Sequence, residues 1–204
     1  MNIVAVFNTN RGPGFWPYTA AHLTSLRNQL SKVGHTITII GADVPLHHQP
    51  AFAGWWSKML VYAPEYAHLR PALALDLDNF VIRSLDPILA LDPTKLWLIR
   101  KFLSRTHEGE MGLCTVPDSP LSDAIWQAAL TNNKAKPPGD LIIKFPHSFM
   151  VDVVDGIYSY KVSCRRDCPE DARAVLFHGS PKAPDLQGWA LAWWQTSLNS
   201  PTKN

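Results

Sequence analysis

The chain is poor in cysteine, modest in charge and free of long apolar runs. Its 204 residues contain three cysteines, too few for a disulfide framework, and the odd count suits a reducing compartment. Cys164 and Cys168 stand four apart with Cys114 alone elsewhere, whereas a structural zinc site needs four ligands in paired ends. Charged residues make up 18%, below the roughly 25% of an average domain, and they come with eight tryptophans. A disordered chain would be charge-rich and poor in aromatics, so that class is excluded. No uncharged apolar stretch approaches the ~18 residues of a membrane span. Met1 to Phe7 shows neither a basic start nor a small-residue cleavage site, so a secretory signal is not expected and a cytoplasmic location is. A formal net charge of +2 is too mild to point to nucleic acid. Missing motifs narrow the field further. The chain has no G-x-G-x-x-G, no G-x-x-x-x-G-K-[S/T] and no G-x-S-x-G, which argues against a dinucleotide dehydrogenase, a P-loop ATPase and an α/β-hydrolase.

What is present reads as alternating strands and helices. The length predicts one domain over residues 1–204. Asn2 to Phe7 is an apolar, β-branched strand, followed by a turn-rich loop through Gly14. Tyr18 to Lys32 has helical spacing of Ala21, Leu23, Leu26 and Leu30, and Gly34 supplies a stop. Thr36 to Ile40 reads as a strand, Trp55 to Tyr62 as a short helix, and Pro71 to Leu75 as a buried strand. Phe80 to Ile82 continues extended, Leu85 to Leu91 is a helical turn, and Leu96 to Ile99 is a further strand. Phe102 to Gly112 has no clear period. Leu121 to Leu130 and Leu186 to Leu198 read as helices around the late strand Ala174 to Phe177. This order predicts an α/β fold with a mostly parallel, Rossmann-like sheet flanked by helices in a compact single domain.

Four segments can carry chemistry. Asp76-Leu77-Asp78 follows an apolar strand, and in extended backbone residues i and i+2 project to the same side. Two close carboxylates repel unless a cation lies between them, and hard oxygens suit Mg²⁺ or Mn²⁺. A pair of turn or capping aspartates is the other reading. His178-Gly179-Ser180-Pro181-Lys182 repeats the layout of a strand followed by polar ligand types. His178 offers a metal-binding nitrogen and Lys182 a point charge for phosphate, or else a packed histidine and a solvated lysine. Trp55 and Lys58 lie three apart, which on a helix gives them one face, although aromatic anchoring of the core is the commoner role of such tryptophans. The glycine-bearing loop after the first strand is where α/β folds meet nucleotides.

Taken together, Gly54-Trp55-Trp56-Ser57-Lys58, Leu73 to Ile82 with Leu85-Asp86-Pro87, Ser159-Tyr160-Lys161 and Val175 to Lys182 resemble GT-A-fold glycosyltransferases. The chain is most similar to bacterial and phage proteins related to the retaining glycogenin-like and lipopolysaccharide-galactosyltransferase-like enzymes. The resemblance implies a metal-dependent hexosyltransferase, expected to act with retention, that uses a nucleotide-sugar donor such as a UDP-sugar and Mn²⁺ or Mg²⁺. Metal ligands would be Asp76, Asp78 and His178. Donor contacts would be Phe7, Asn8, Thr9, Lys58, Asp76, Leu77, Gly179 and Lys182. Donor-binding elements would span 1–100 and 174–184, with the acceptor side at about 101–173. The family's Asn-Ser motif has no counterpart here, and its Gly-Asp-Gln motif is reduced to Gly139-Asp140-Leu141. Asp78 and Asp140 are the catalytic expectations. The acceptor is left open among a glycan, a protein, a small molecule and modified DNA. Two rival functions are a non-catalytic nucleotide- or glycan-binding module of the same fold, and a metal-dependent nuclease or phosphatase, which would usually want a further carboxylate cluster.

Overall fold

The computed structural model describes residues 1–9, 18–47, 52–102, 109–132, 136–178, 181–182 and 185–200. Along the chain run β1 (Asn2–Val6), α1 (Ala20–Lys32), β2 (Thr38–Ile40), β3 (Ala72–Leu75), β4 (Phe80–Val81), α2 (Asp86–Leu89), β5 (Trp97–Arg100), β6 (Gly109–Glu110) and β7 (Leu113–Val116). There follow α3 (Pro120–Thr131), α4 (Gly139–Ile142), β8 (Ser148–Phe149), β9 (Ile157–Ser159), α5 (Tyr160–Ser163), β10 (Ala174–Leu176) and α6 (Gly188–Asn199). The main sheet has the order β2-β1-β3-β7. Its first three strands are parallel, and β7 closes it antiparallel to β3. Two further three-stranded sheets, β4-β10-β9 and β6-β5-β8, extend the framework.

Both faces of the main sheet are covered, which is why its strands read as unbroken apolar runs. Ile3, Ala5, Leu73 and Leu75 face Leu26 and Leu30 of α1. Val4, Ala72 and Ala74 face the other way, onto Trp56, Met59 and Leu60 and onto Ile125, Trp126 and Ala129 of α3. Gly54–Tyr62 is a 3₁₀ helix rather than an α-helix. With three residues per turn, positions i and i+3 eclipse. Trp56, Met59 and Tyr62 therefore form one buried row, while Trp55, Lys58 and Val61 form a second row that descends from solvent into the core.

Two departures from the sequence reading have clear physical causes. β7 is not expected from the sequence: Leu113 to Val116 follows the aperiodic stretch Phe102 to Gly112 and becomes a strand by pairing with β3. Helix α1 buries His22, Ser25, Asn28 and Gln29 in addition to its apolar positions. These polar groups make a network. Asn28 donates to the Ser197 carbonyl on α6 at 2.7 Å, the Ser25 and Ser197 hydroxyls meet at 2.5 Å, and Gln29 Oε1 accepts from the Val81 amide at 2.7 Å. These cross-element bonds fix the register of α1 against α6 and β4, although Asn28 Oδ1 is buried without a hydrogen-bond partner among the described residues. Trp194 closes the core on α6, with Trp189 and Trp193 partly buried beside it.

Gly41 ends β2 with φ +94°. A Cβ there would collide with the carbonyl oxygen of Phe7, where the chain leaves β1. The Gly41→Ala variant is expected to lose about 2 kcal/mol or more of stability from backbone strain and this collision, read as a lowered urea midpoint. A midpoint equal to that of the parent would refute the tight β1–β2 junction.

Candidate active site

The site is built where β3 ends. Asp76 donates its amide to the Gly112 carbonyl at 3.1 Å, the Asn79 side chain donates to the same oxygen at 2.5 Å, and the Asn79 amide bonds back to the Asp76 carbonyl at 3.1 Å. This turn keeps Leu77 in the core beside Ile3 and Val81, while Asp76 and Asp78 line a cavity of about 480 Å³. Gly112 makes room for it, since a Cβ there would press on Leu176 at 3.1 Å.

Each carboxylate has a lysine from a different part of the chain. Lys58, on the solvent-to-core row of the 3₁₀ helix, donates to Asp76 Oδ2 at 2.5 Å. Lys182, after β10, donates to Asp78 Oδ2 and to the Phe177 carbonyl at 2.9 Å. The Tyr18 hydroxyl donates to Asp78 Oδ1 at 3.2 Å. The electrostatics follow from burial and these partners. Burial raises the Asp76 pKa above its ordinary value, with Lys58 pulling the other way and Asp78 adding to the rise. Burial works in the same direction on Asp78, but Lys182 and then Lys58 outweigh it and hold that carboxyl below the usual range. Burial works to lower Lys58, and Asp76 with Asp78 overcomes it, so the ammonium is held charged. Nearby Cys114 is a structural thiol, pushed up to about 12 by burial.

His178, Asp140, Glu110 and Trp55 line the same cavity. Lys58, Asp76, Asp78, Asp140, His178 and Lys182 are thus brought around one space. Phe7, Asn8 and Thr9 are not among its lining residues: Asn8 is buried with its amide on the Phe52 carbonyl at 3.1 Å, and Thr9 is exposed. Gly179 lies outside the described residues. Sequence reasoning missed Glu110, which bonds His178 Nδ1 at 2.7 Å. No motif marks it; only the strand pairing of β6 with β5 carries it to the site.

Among the described residues, no three His, Cys, Asp or Glu side chains gather closely enough to hold a metal ion as they stand. The donor set nevertheless suits a divalent cation. Two hard carboxylates share the crevice with His178, whose Nε2 is buried without a hydrogen-bond partner.

By sequence, the chain matches no protein-family model and no curated protein. By structure, it is similar to the galactosyltransferase LgtC in complex with donor and acceptor sugar analogs, with a TM-score of 0.66 and 12% identity over 100% of this chain and 97% of that one. It is also similar to a glycosyltransferase involved in glycosylation of the major capsid of PBCV-1, with a TM-score of 0.55 and 12% identity over 88% and 94% of the two chains. A third is the glycosyltransferase GlyE of Streptococcus pneumoniae, with a TM-score of 0.60 and 11% identity, where 97% of this chain matches 60% of that one. The fold is GT-A-like. In a fold of this kind the crevice lies at the carboxyl ends of the parallel strands, which is where Asp76 and Asp78 stand. Among the described residues, no helix is long and apolar enough to cross a membrane.

Asp78 is almost wholly covered, its side chain 1% exposed and that of Lys182 15%. Removing one partner of such a pair leaves an uncompensated buried charge. Lys182→Met is therefore expected to cost roughly 3 kcal/mol, and Asp78→Asn in the same chain to recover a large part of it. Urea unfolding of the two singles and the double checks this; additive losses would show that the pair is not coupled.

Proposed function

We infer that the protein is a glycosyltransferase that moves a sugar from a nucleotide-sugar donor, for which we propose a UDP-sugar, to an acceptor hydroxyl, with retention. The observation that carries this reading is the meeting of two carboxylates, two lysines and a histidine in one crevice of a GT-A-like fold. Asp76, Asp78 and His178 would hold Mn²⁺ or Mg²⁺, which supplies positive charge for the diphosphate that leaves.

The chain's own residues do the rest. The crevice collects Lys58 and Lys182 beside Asp76 and Asp78, and their ammonium groups would take the phosphate oxygens on which negative charge grows. Gly179 would let the backbone approach the diphosphate. Phe7, Asn8 and Thr9, at the carboxyl end of β1, would flank the nucleoside, and the Leu77 backbone would lie alongside. Tyr18 holds Asp78 in place through its hydroxyl. Asp140, at the start of α4 on the lining of the cavity, would orient the sugar being transferred. Donor binding would use residues 1–100 and 174–184, and the acceptor side 101–173, within one domain. The acceptor is a glycan, a protein, a small molecule or modified DNA. Three cysteines, all of them free thiols, favour the cytoplasm as the place of action.

The test is a panel of nucleotide sugars with Mn²⁺, read as slow hydrolysis of the donor or as transfer. The parent chain should turn over at least one of them, and Asp78→Ala should abolish that turnover, with Asp140→Asn lowering it by about 10²-fold. If no nucleotide sugar binds or is turned over, the reading fails.

A further inference from the structure

His178 is tied to Glu110, and the role inferred for that bond rests on the metal-dependent reading of the crevice. His178 follows β10 through Phe177, and its ring stands against that of Phe102 at 5.5 Å. Its Nδ1 lies 2.7 Å from Glu110 Oε2. A carboxylate only accepts hydrogen bonds, so the hydrogen sits on Nδ1. In the neutral ring, Nε2 then carries the lone pair. That atom is buried and unpartnered among the described residues, a rare state for a buried polar atom. His178 lines the crevice together with Asp76 and Asp78. A buried lone-pair nitrogen without a hydrogen-bond donor, on a residue that shares its crevice with two carboxylates, suits a cation.

Glu110 is well placed to impose this state. It belongs to β6, which pairs with β5 through Ile99↔Glu110 and Arg100↔Gly109. Preceding Gly109 allows that close approach, since a Cβ there would meet Leu98 at 2.8 Å. The Glu110 and His178 side chains are 23% and 17% exposed, so water has limited access to either. The bond therefore ties the β6-β5-β8 sheet to the segment that follows β10, and its Glu110 end is held by the pairing of β6 with β5.

We propose that Glu110 is a positioning residue for the cation site: through its bond to Nδ1 it locks His178 in the one tautomer whose Nε2 can ligate a divalent metal. Metal-ligating histidines commonly have their second nitrogen fixed by a carboxylate, and losing that partner typically costs about 10- to 100-fold in metal affinity.

Two readouts test this without relying on turnover. Nitrogen-15 NMR of the metal-free protein should show the His178 Nδ1 protonated and hydrogen-bonded. Glu110→Leu should abolish that state. Glu110→Gln, whose amide oxygen still accepts from Nδ1, should keep it and also guards against loss of folding. Titration with Mn²⁺ in the presence of UDP or GDP, followed by electron paramagnetic resonance, should show affinity about 10- to 100-fold weaker for Glu110→Leu and a smaller loss for Glu110→Gln. Unchanged Mn²⁺ affinity in Glu110→Leu overturns the proposal, as does a His178 in the parent whose proton lies on Nε2 with Nδ1 bare. A parent chain that takes up no Mn²⁺ with either nucleotide overturns the metal reading itself and, with it, the role of Glu110, whatever the tautomer.

Discussion

The arrangement of the crevice depends on the neutralisation of two buried carboxylates by two lysines. Asp76 and Asp78 are held close together by the turn after β3, and in a poorly hydrated space their charges would repel strongly if left alone. Lys58 and Lys182 supply the balancing charge from positions 18 and 104 residues away in sequence. Each lysine is delivered by a different structural element. The 3₁₀ helix aims Lys58 by its three-residue period, and the segment after β10 aims Lys182, which is anchored on the Phe177 carbonyl. On the proposed reading, a cation that took over the carboxylates would leave the ammonium groups available for phosphate oxygens.

The layered fold makes these arrivals reproducible. Parallel pairing of β1 with β3 sets the end of β3 beside the end of β1, and apolar cover on both faces leaves the carboxyl ends as the place where polar groups can emerge. Antiparallel β7 adds the floor, because its lead-in residue Gly112 accepts both the Asp76 amide and the Asn79 side chain. The polar seam between α1 and α6 plays a similar part at a distance: it seats α1 so that Tyr18, just ahead of the helix, reaches Asp78.

Much of this is legible in the residues. Apolar runs mark β1, β3 and β10, and the D-x-D pair does line one cavity, but through the turn that follows β3 rather than through the extended backbone the spacing suggests. Apolar periodicity marks α1, α3 and α6 to within about two residues at most ends. Other features are not legible, for identifiable reasons. Leu113 to Val116 follows an aperiodic stretch that does not announce a strand, and its identity comes from the hydrogen bonds of β3. The burial of Ser25, Asn28 and Gln29 runs against their polarity, and bonds to α6 and β4 offset part of its cost. The 3₁₀ form of Gly54–Tyr62 is likewise not marked in the residues, which announce only a short helix.

The sequence by itself determined the alternation of strands and helices, the covered sheet, and the identity of the charged groups at strand ends, since these depend on local periodicity and on chemistry carried within a few residues. Only the tertiary structure decided which charges pair. It set Lys58 on Asp76 and Lys182 on Asp78, brought Asp140 to the crevice, left Phe7, Asn8 and Thr9 off its lining, and put Glu110 on His178. Those pairings join residues up to 104 positions apart, and no pattern along the chain encodes a contact whose distance is set by the packing of separate sheets.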